Sequence, residues 1–169
     1  MIFRAKITHS TAGDYILPLW NFDGRQRSGR RSSWRATCSL RHAEEIDARI
    51  SGGRLVVEIV RPGEEDWELF DDPIQGVTPS YGVQSRSISI SAAGQTTWTP
   101  PAEAAAIPAP YYRGPNRTDG RWTYQYARPL LFLRPGYSVD YDGHVWTVGE
   151  ILWNVRPVGM MFQLSEAEA

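Results

Sequence analysis

Apolar and polar residues alternate with a period of two along most of the chain, whereas a helical period is sustained over one short stretch only. Successive side chains of a strand point to opposite faces, so this alternation selects half-buried pleated surfaces, and Val, Ile, Thr, Tyr and Trp populate them. The candidate strands are Ile2 to Thr8, Tyr15 to Trp20, Trp34 to Leu40, Leu55 to Val60, Trp67 to Phe70, Ile74 to Thr78 and Arg86 to Ser91. After a long gap follow Arg121 to Tyr126, Ser138 to Tyr141, His144 to Trp153 and Gly159 to Ser165. The expected fold class is all-β, a barrel or sandwich of about ten strands with at most one or two short helices.

Turn chemistry separates these runs. Asp142-Gly143 stands between two alternating segments and matches a two-residue hairpin, because both residue types tolerate positive φ at low cost. Arg61-Pro62-Gly63 supplies a second turn, with Pro fixing φ and Gly free to take a left-handed conformation; it links Leu55 to Val60 with Trp67 to Phe70. Leu40, Ala43, Ile46 or Asp47, and Ile50 are spaced by three and four and mark the one helical pattern, Leu40 to Ile50. From 99 to 115 the chain carries Pro100, Pro101, Pro108, Pro110 and Pro115 around the alanine-rich 102–106. Prolines at that density remove ladder donors, so this stretch reads as a connection between β layers with room for one helical turn. The 169 residues then form one β-rich unit over 1–169, or two packed layers or small barrels, about 1–95 and 120–169, joined by the link.

Composition narrows the function classes. A hydrophobic fraction of 41% and a charged fraction of 22% are those of a folded globular chain. The net charge of -1 gives no field for polyanions, so neither sequence-specific nucleic-acid binding nor attraction to an anionic membrane is expected. No run reaches the roughly 18 apolar residues that span a bilayer, and Met1 to Thr8 lacks the apolar core of a leader, so a soluble, unprocessed protein is expected. Cys38 is the single cysteine, which suits synthesis in a reducing compartment and a place in the core. Lys6 is the single lysine; the remaining cations are arginines, whose planar forks suit fixed carboxylate contacts.

Those charges are segregated. Arg25, Arg27, Arg30, Arg31 and Arg35 crowd one stretch read as a loop, and Glu64, Glu65, Asp66, Glu68, Asp71 and Asp72 crowd another. Two solvated hairpin tips account for this; so does a complementary pair meeting across a subunit interface.

Catalytic chemistry finds little support. His9, His42 and His144 are the only imidazoles, and no serine lies in a Gly-x-Ser-x-Gly context. His42 with Glu45 gives at most two metal ligands, and the acidic stretch lacks the spacing and terminal glutamate of a calcium loop. Gly24, Gly29, Gly52 and Gly53 match neither glycine-rich nucleotide fingerprint, so no cofactor is expected and the protein reads as a non-enzyme. Seven tryptophans and eight tyrosines remain, with Tyr111, Tyr112, Trp122, Tyr124 and Tyr126 concentrated after the proline-rich link. They stack on sugars or a partner if exposed; Trp122, Tyr124 and Tyr126 line one core-facing strand side if buried.

Several stretches together resemble the hub and tail-tip proteins of tailed bacteriophages and related contractile injection systems. They are WRATCSL (Trp34 to Leu40), GGRLVVEIVRPGEEDWELFDDPIQGV (Gly52 to Val77), SRSISISAAG (Ser85 to Gly94) and RPLLFLRPGYSVDYDGHVWTVGEILWNV (Arg128 to Val155). Asp72-Pro73 stands where that pattern has a glycine before Ile74, and the chain is much shorter than a full hub. The resemblance implies a virion structural protein of the tail tip or baseplate, made in the bacterial cytoplasm: hub, distal-tail ring or adaptor. It implies a homo-oligomeric ring, trimer or hexamer, joined to other tail or baseplate proteins, with no catalytic residue, cofactor or membrane insertion. Under that reading Arg25, Arg27, Arg30, Arg31, Arg35, the six acidic residues, Tyr111 and Tyr112 are candidate interface residues. A carbohydrate-binding module using exposed aromatics is the competing reading.

Overall fold

The computed structural model describes residues 2–82, 86–94, 101–110, 113–118, 120–156 and 159–167. Strands account for 62% of these residues, pairing is mostly antiparallel, and one short helical segment of 8 residues interrupts them. The sheet does not close on itself, so the all-β expectation holds in its sandwich-like form and not as a closed barrel. The chain divides into two compact units: Met1–Phe22 with Ser33–Gly94, and Asp23–Ser32 with Gln95–Ala169.

In the first unit β1 (Ile2–Thr8), β2 (Tyr15–Leu17), β4 (Ser32–Ser39), β5 (Arg54–Val60), β6 (Trp67–Tyr81) and β7 (Arg86–Gly94) lie in the order β2-β1-β5-β6-β7-β4. β3 (Asn21–Arg27) starts in this unit and continues into the other. Period-two alternation sends Ala5 and Ile7 of β1, Trp34, Ala36 and Cys38 of β4, and Ile88 and Ile90 of β7 into the core. β5 sits centrally, and Leu55 through Ile59 are all buried. Ser39 and the turn Leu40–His42 lead into α1 (Ala43–Asp47), whose Ile46 is fully buried; this is the expected helix, slightly shorter.

Three local readings change here. Tyr15 to Trp20 stops at Leu17, ahead of Pro18. Trp67 to Phe70 and Ile74 to Thr78 are halves of a single 15-residue strand, β6. Pro73 does not break it, because Pro73 lies opposite Arg54 at the end of the pairing with β5, and β6 then pairs with β7 through an irregularity between Ile74 and Gly76. The proline therefore marks where the strand changes partner. The third change is β3, read as loop: its inward positions are Phe22, Gly24 and Gln26, and a glycine and a glutamine conceal the period.

In the second unit β3 is followed by β8 (Ala105–Ala106), β9 (Arg113–Thr118), β10 (Arg121–Tyr126), β11 (Ser138–Tyr141), β12 (His144–Arg156) and β13 (Gly159–Glu166). The order is β3-β12-β13-β10-β9, with β11 beside β12 and β8 beside β11. Residues 102–106 form no helical turn; Ala105 and Ala106 instead pair in parallel with Val139 and Asp140. Asp142 and Gly143 have φ of 52° and 80° and close the hairpin between Tyr141 and His144, as the turn chemistry requires. The core holds Tyr124, Tyr126, Trp146, Val148, Ile151, Trp153, Phe162 and Leu164. A bulge between Val148 and Glu150 shifts the inward parity of β12 from even to odd positions, which keeps Trp146 and Val148 as well as Ile151 and Trp153 inside.

Candidate interaction surfaces

The arginine stretch is a strand pair rather than a loop. Asp23, Arg25 and Arg27 occupy alternate, outward positions of β3, opposite in direction to the buried Phe22, Gly24 and Gln26. The bulge at Gly149 turns Glu150 of β12 outward beside them. Its Oε1 accepts from Arg27 Nε at 2.8 Å and forms an ion pair with Arg25, whose Nε lies 3.0 Å away. Farther along, Arg156 Nη2 donates to Asp23 Oδ1 at 2.8 Å. Arg35 is an exposed residue of β4, and only Arg30 and Arg31, both engaged by other groups, belong to the connecting turn.

The acidic stretch is likewise divided. Glu64, Glu65 and Asp66 belong to the β5–β6 turn, where Glu64 N–H donates to Arg61 O at 3.1 Å and Gly63 has φ of 81°, the geometry of a Pro-Gly type II turn. Glu68, Asp71 and Asp72 are residues of β6, and Asp72 is buried, which corrects the reading of a single solvated loop. Glu64 is held by Arg61 at 2.7 Å and Asp71 by Arg54 at 2.7 Å. Asp66 accepts from Arg4 and from the Arg61 backbone N–H. Glu65 and Glu68 are exposed, and among the described residues nothing hydrogen-bonds to their carboxylates.

Glu58 of β5 anchors a network that the sequence reading missed. Arg4 Nε and Nη2 donate to its Oε2 at 2.9 and 2.7 Å, and Lys6 Nζ donates to its Oε1 at 2.6 Å. Burial by itself raises this carboxyl, but the hydrogen bonds from Lys6 and Arg4 outweigh it and hold Glu58 below the ordinary carboxylate range. The alternation of Arg4 and Lys6 on the outer face of β1 was the available signal.

The histidines are tied into loops. His9 Nδ1 accepts the backbone N–H groups of Thr11 and Ala12. Arg41 Nε donates to His42 Nε2 at 3.0 Å, so Nδ1 carries the proton and donates to Tyr15 Oη at 2.7 Å. Arg49 reaches the carbonyls of Ala12, Gly13 and Glu45 and the Glu45 carboxylate, fastening the β1–β2 loop to α1. Every ring nitrogen of His9 and His42 is thus used in holding structure.

Of the aromatic group, Tyr124 and Tyr126 are buried, and burial raises the pKa of both hydroxyls. Trp122 is half-buried, edge-on to His144 at 6.0 Å with the Arg117 guanidinium over its ring. Tyr111 and Tyr112 lie outside the described residues. Across β6 and β7 the outward row is uncharged: Ser80 faces Ser87, Thr78 faces Ser89, and Ser89 Oγ lies 3.2 Å from Thr37 Oγ1 of β4.

Among the described residues no three His, Cys, Asp or Glu side chains converge as a metal site, and no helix is long and apolar enough to cross a membrane. No protein-family model matches the chain, and no curated protein matches it either.

Proposed function

We propose that the protein is a structural subunit of a phage tail tip or baseplate, which assembles with copies of itself into a ring and joins other tail proteins. The observation that supports this most directly is the outer half of β6. From Gly76 onward it pairs with β7 alone among the described residues, and it ends in Tyr81, which is 73% exposed. A strand edge of that length, followed by an exposed ring, is a surface that proteins ordinarily cover with a partner. The likeness of SRSISISAAG, which contains β7, to the corresponding phrase of tail hubs adds the particular class. Carbohydrate binding calls for flat exposed rings, and Trp122 is half-buried, edge-on to His144 with the Arg117 guanidinium over its ring, which leaves it less free to stack on a sugar.

Sedimentation velocity and negative-stain electron microscopy of the purified protein test the proposal. Discrete ring-shaped oligomers are expected. A monomer at every concentration up to the solubility limit overturns it.

A further inference from the structure

We infer that in the assembled protein the arginine pair of one copy, Arg25 and Arg27, receives Glu65 of the β5–β6 turn and Glu68 of the adjoining end of β6 from the next copy. This rests on the self-assembly reading above and names the contact that directs it.

Arg25 and Arg27 lie two residues apart on one strand and so share a face. Both place Nε on the same oxygen, Glu150 Oε1, at 3.0 and 2.8 Å. Two cations thus share one anion, and the local charge is positive. A guanidinium carries five N–H donors in a fixed fork, and the Nε contact uses one of them. Neither arginine makes a further hydrogen bond among the described residues, although their side chains are 44% and 34% exposed. Glu150 restrains both side chains, so a second carboxylate meets forks that are already oriented, which lowers the entropic cost of binding.

The acidic turn shows the opposite imbalance. Arg61 and Arg4 neutralise Glu64 and Asp66, while Glu65 and Glu68 keep exposed carboxylates without partners among the described residues. Because the whole chain carries a net charge of only -1, both imbalances are local features and not consequences of an overall charge. A basic patch and an acidic patch on different elements form a heterologous, head-to-tail contact, the type that generates rings when the rotation closes. The attraction acts within a Debye length of about 8 Å at physiological salt, so it orients the encounter while apolar contacts hold the assembly.

Two variants test the contact by sedimentation. Glu65→Arg/Glu68→Arg alters two exposed carboxylates that bond to nothing among the described residues, and it should weaken self-association by about tenfold or more. Arg25→Glu/Arg27→Glu/Glu150→Lys exchanges the signs of the triad while keeping its internal attraction, and it should weaken association similarly, with circular dichroism reporting that it folds. An equimolar mixture of the two should assemble again, since each reversed face then meets a complementary one. Parent-like assembly of Glu65→Arg/Glu68→Arg overturns the contact whatever the second variant does, as does failure of the mixture when both variants are folded. In either case an assembling parent leaves the self-assembly reading standing; a monomeric parent removes both.

Discussion

Trp34 stacks on Phe70 with ring centroids 3.7 Å apart and planes 4° from parallel. Phe22 adds a third ring, 5.6 Å from Trp34 and 5.4 Å from Phe70, so residues from β3, β4 and β6 share one aromatic stack in the first unit. Trp34 is 3% exposed. Its truncation to alanine removes the largest ring of the cluster and leaves a cavity that the other two rings border. Trp34→Ala should therefore cost about 3 to 5 kcal/mol, and Trp34→Phe distinctly less, because a smaller ring keeps part of the contact. Denaturant midpoints of the three proteins measure this, and equal midpoints would refute it.

Glu58 gives the first unit an acid-sensitive element. Its carboxyl titrates below its ordinary 4.5 in the folded chain, since the bonds from Lys6 and Arg4 exceed the opposing effect of burial. A group with a depressed folded pKa contributes fully above its unfolded pKa, and the contribution disappears as pH falls through the folded value. Stability should decline below about pH 4.5, and Glu58→Gln should flatten that decline. At pH 7 the same substitution should cost about 1 to 2 kcal/mol, a figure kept low because Arg4 and Lys6 are 35% and 25% exposed. Urea titrations at both pH values compare the two proteins directly.

At the β11–β12 hairpin the relevant energy is backbone strain. Gly143 has φ of 80° and nothing within 4 Å of the position a Cβ would take, so a side chain there meets no steric neighbour. Gly143→Val should still lose more than about 1 kcal/mol, because a β-branched residue resists positive φ. Gly143→Asn should lose much less, since asparagine adopts the left-handed region readily. A pair of thermal melts that ranks the valine variant at or above the asparagine variant contradicts this account.

These cases also explain what could be read from the chain. The hairpin at Asp142-Gly143, the Pro62-Gly63 turn and the burial of Trp34, Cys38 and Trp146 depend on neighbours one or two residues away, and local pattern carries that information. β3 escaped because Gly24 and Gln26 occupy inward positions that apolar residues usually mark, and β6 was divided because Pro73 ordinarily ends a strand. The charged residues were found, but their partners were not. Glu150 lies 123 positions from Arg27, and Glu58 lies 54 from Arg4, and only the strand order and the bulge at Gly149 bring these groups together. Charge segregation along the sequence therefore overstated the unpaired charge: pairing within the fold leaves, among the described residues, Glu65 of the turn and Glu68 of β6 without a partner.

Cys38 provides a probe of the same core at alkaline pH. It faces inward from β4 at 1% exposure, and burial pushes its thiol up from 9.0 to about 11. The folded chain thus retains the proton where the unfolded chain releases it. Stability from this group is complete below the unfolded pKa and is lost as pH rises from about 9 towards 11, to a limit of about 2 to 3 kcal/mol for a shift of this size. The buried tyrosines Tyr124 and Tyr126, also raised by burial, reinforce the decline at higher pH. Cys38→Ala should consequently lose less stability than the parent between pH 8 and pH 10.5, even if it starts from a lower midpoint because a sulfur has been removed from the core. The thiol should also react slowly with a disulfide reagent at pH 8 in the folded protein and at the rate of a free cysteine in denaturant. Rapid modification without denaturant, together with parallel pH profiles for parent and variant, would place Cys38 at the surface and contradict its assignment to the core.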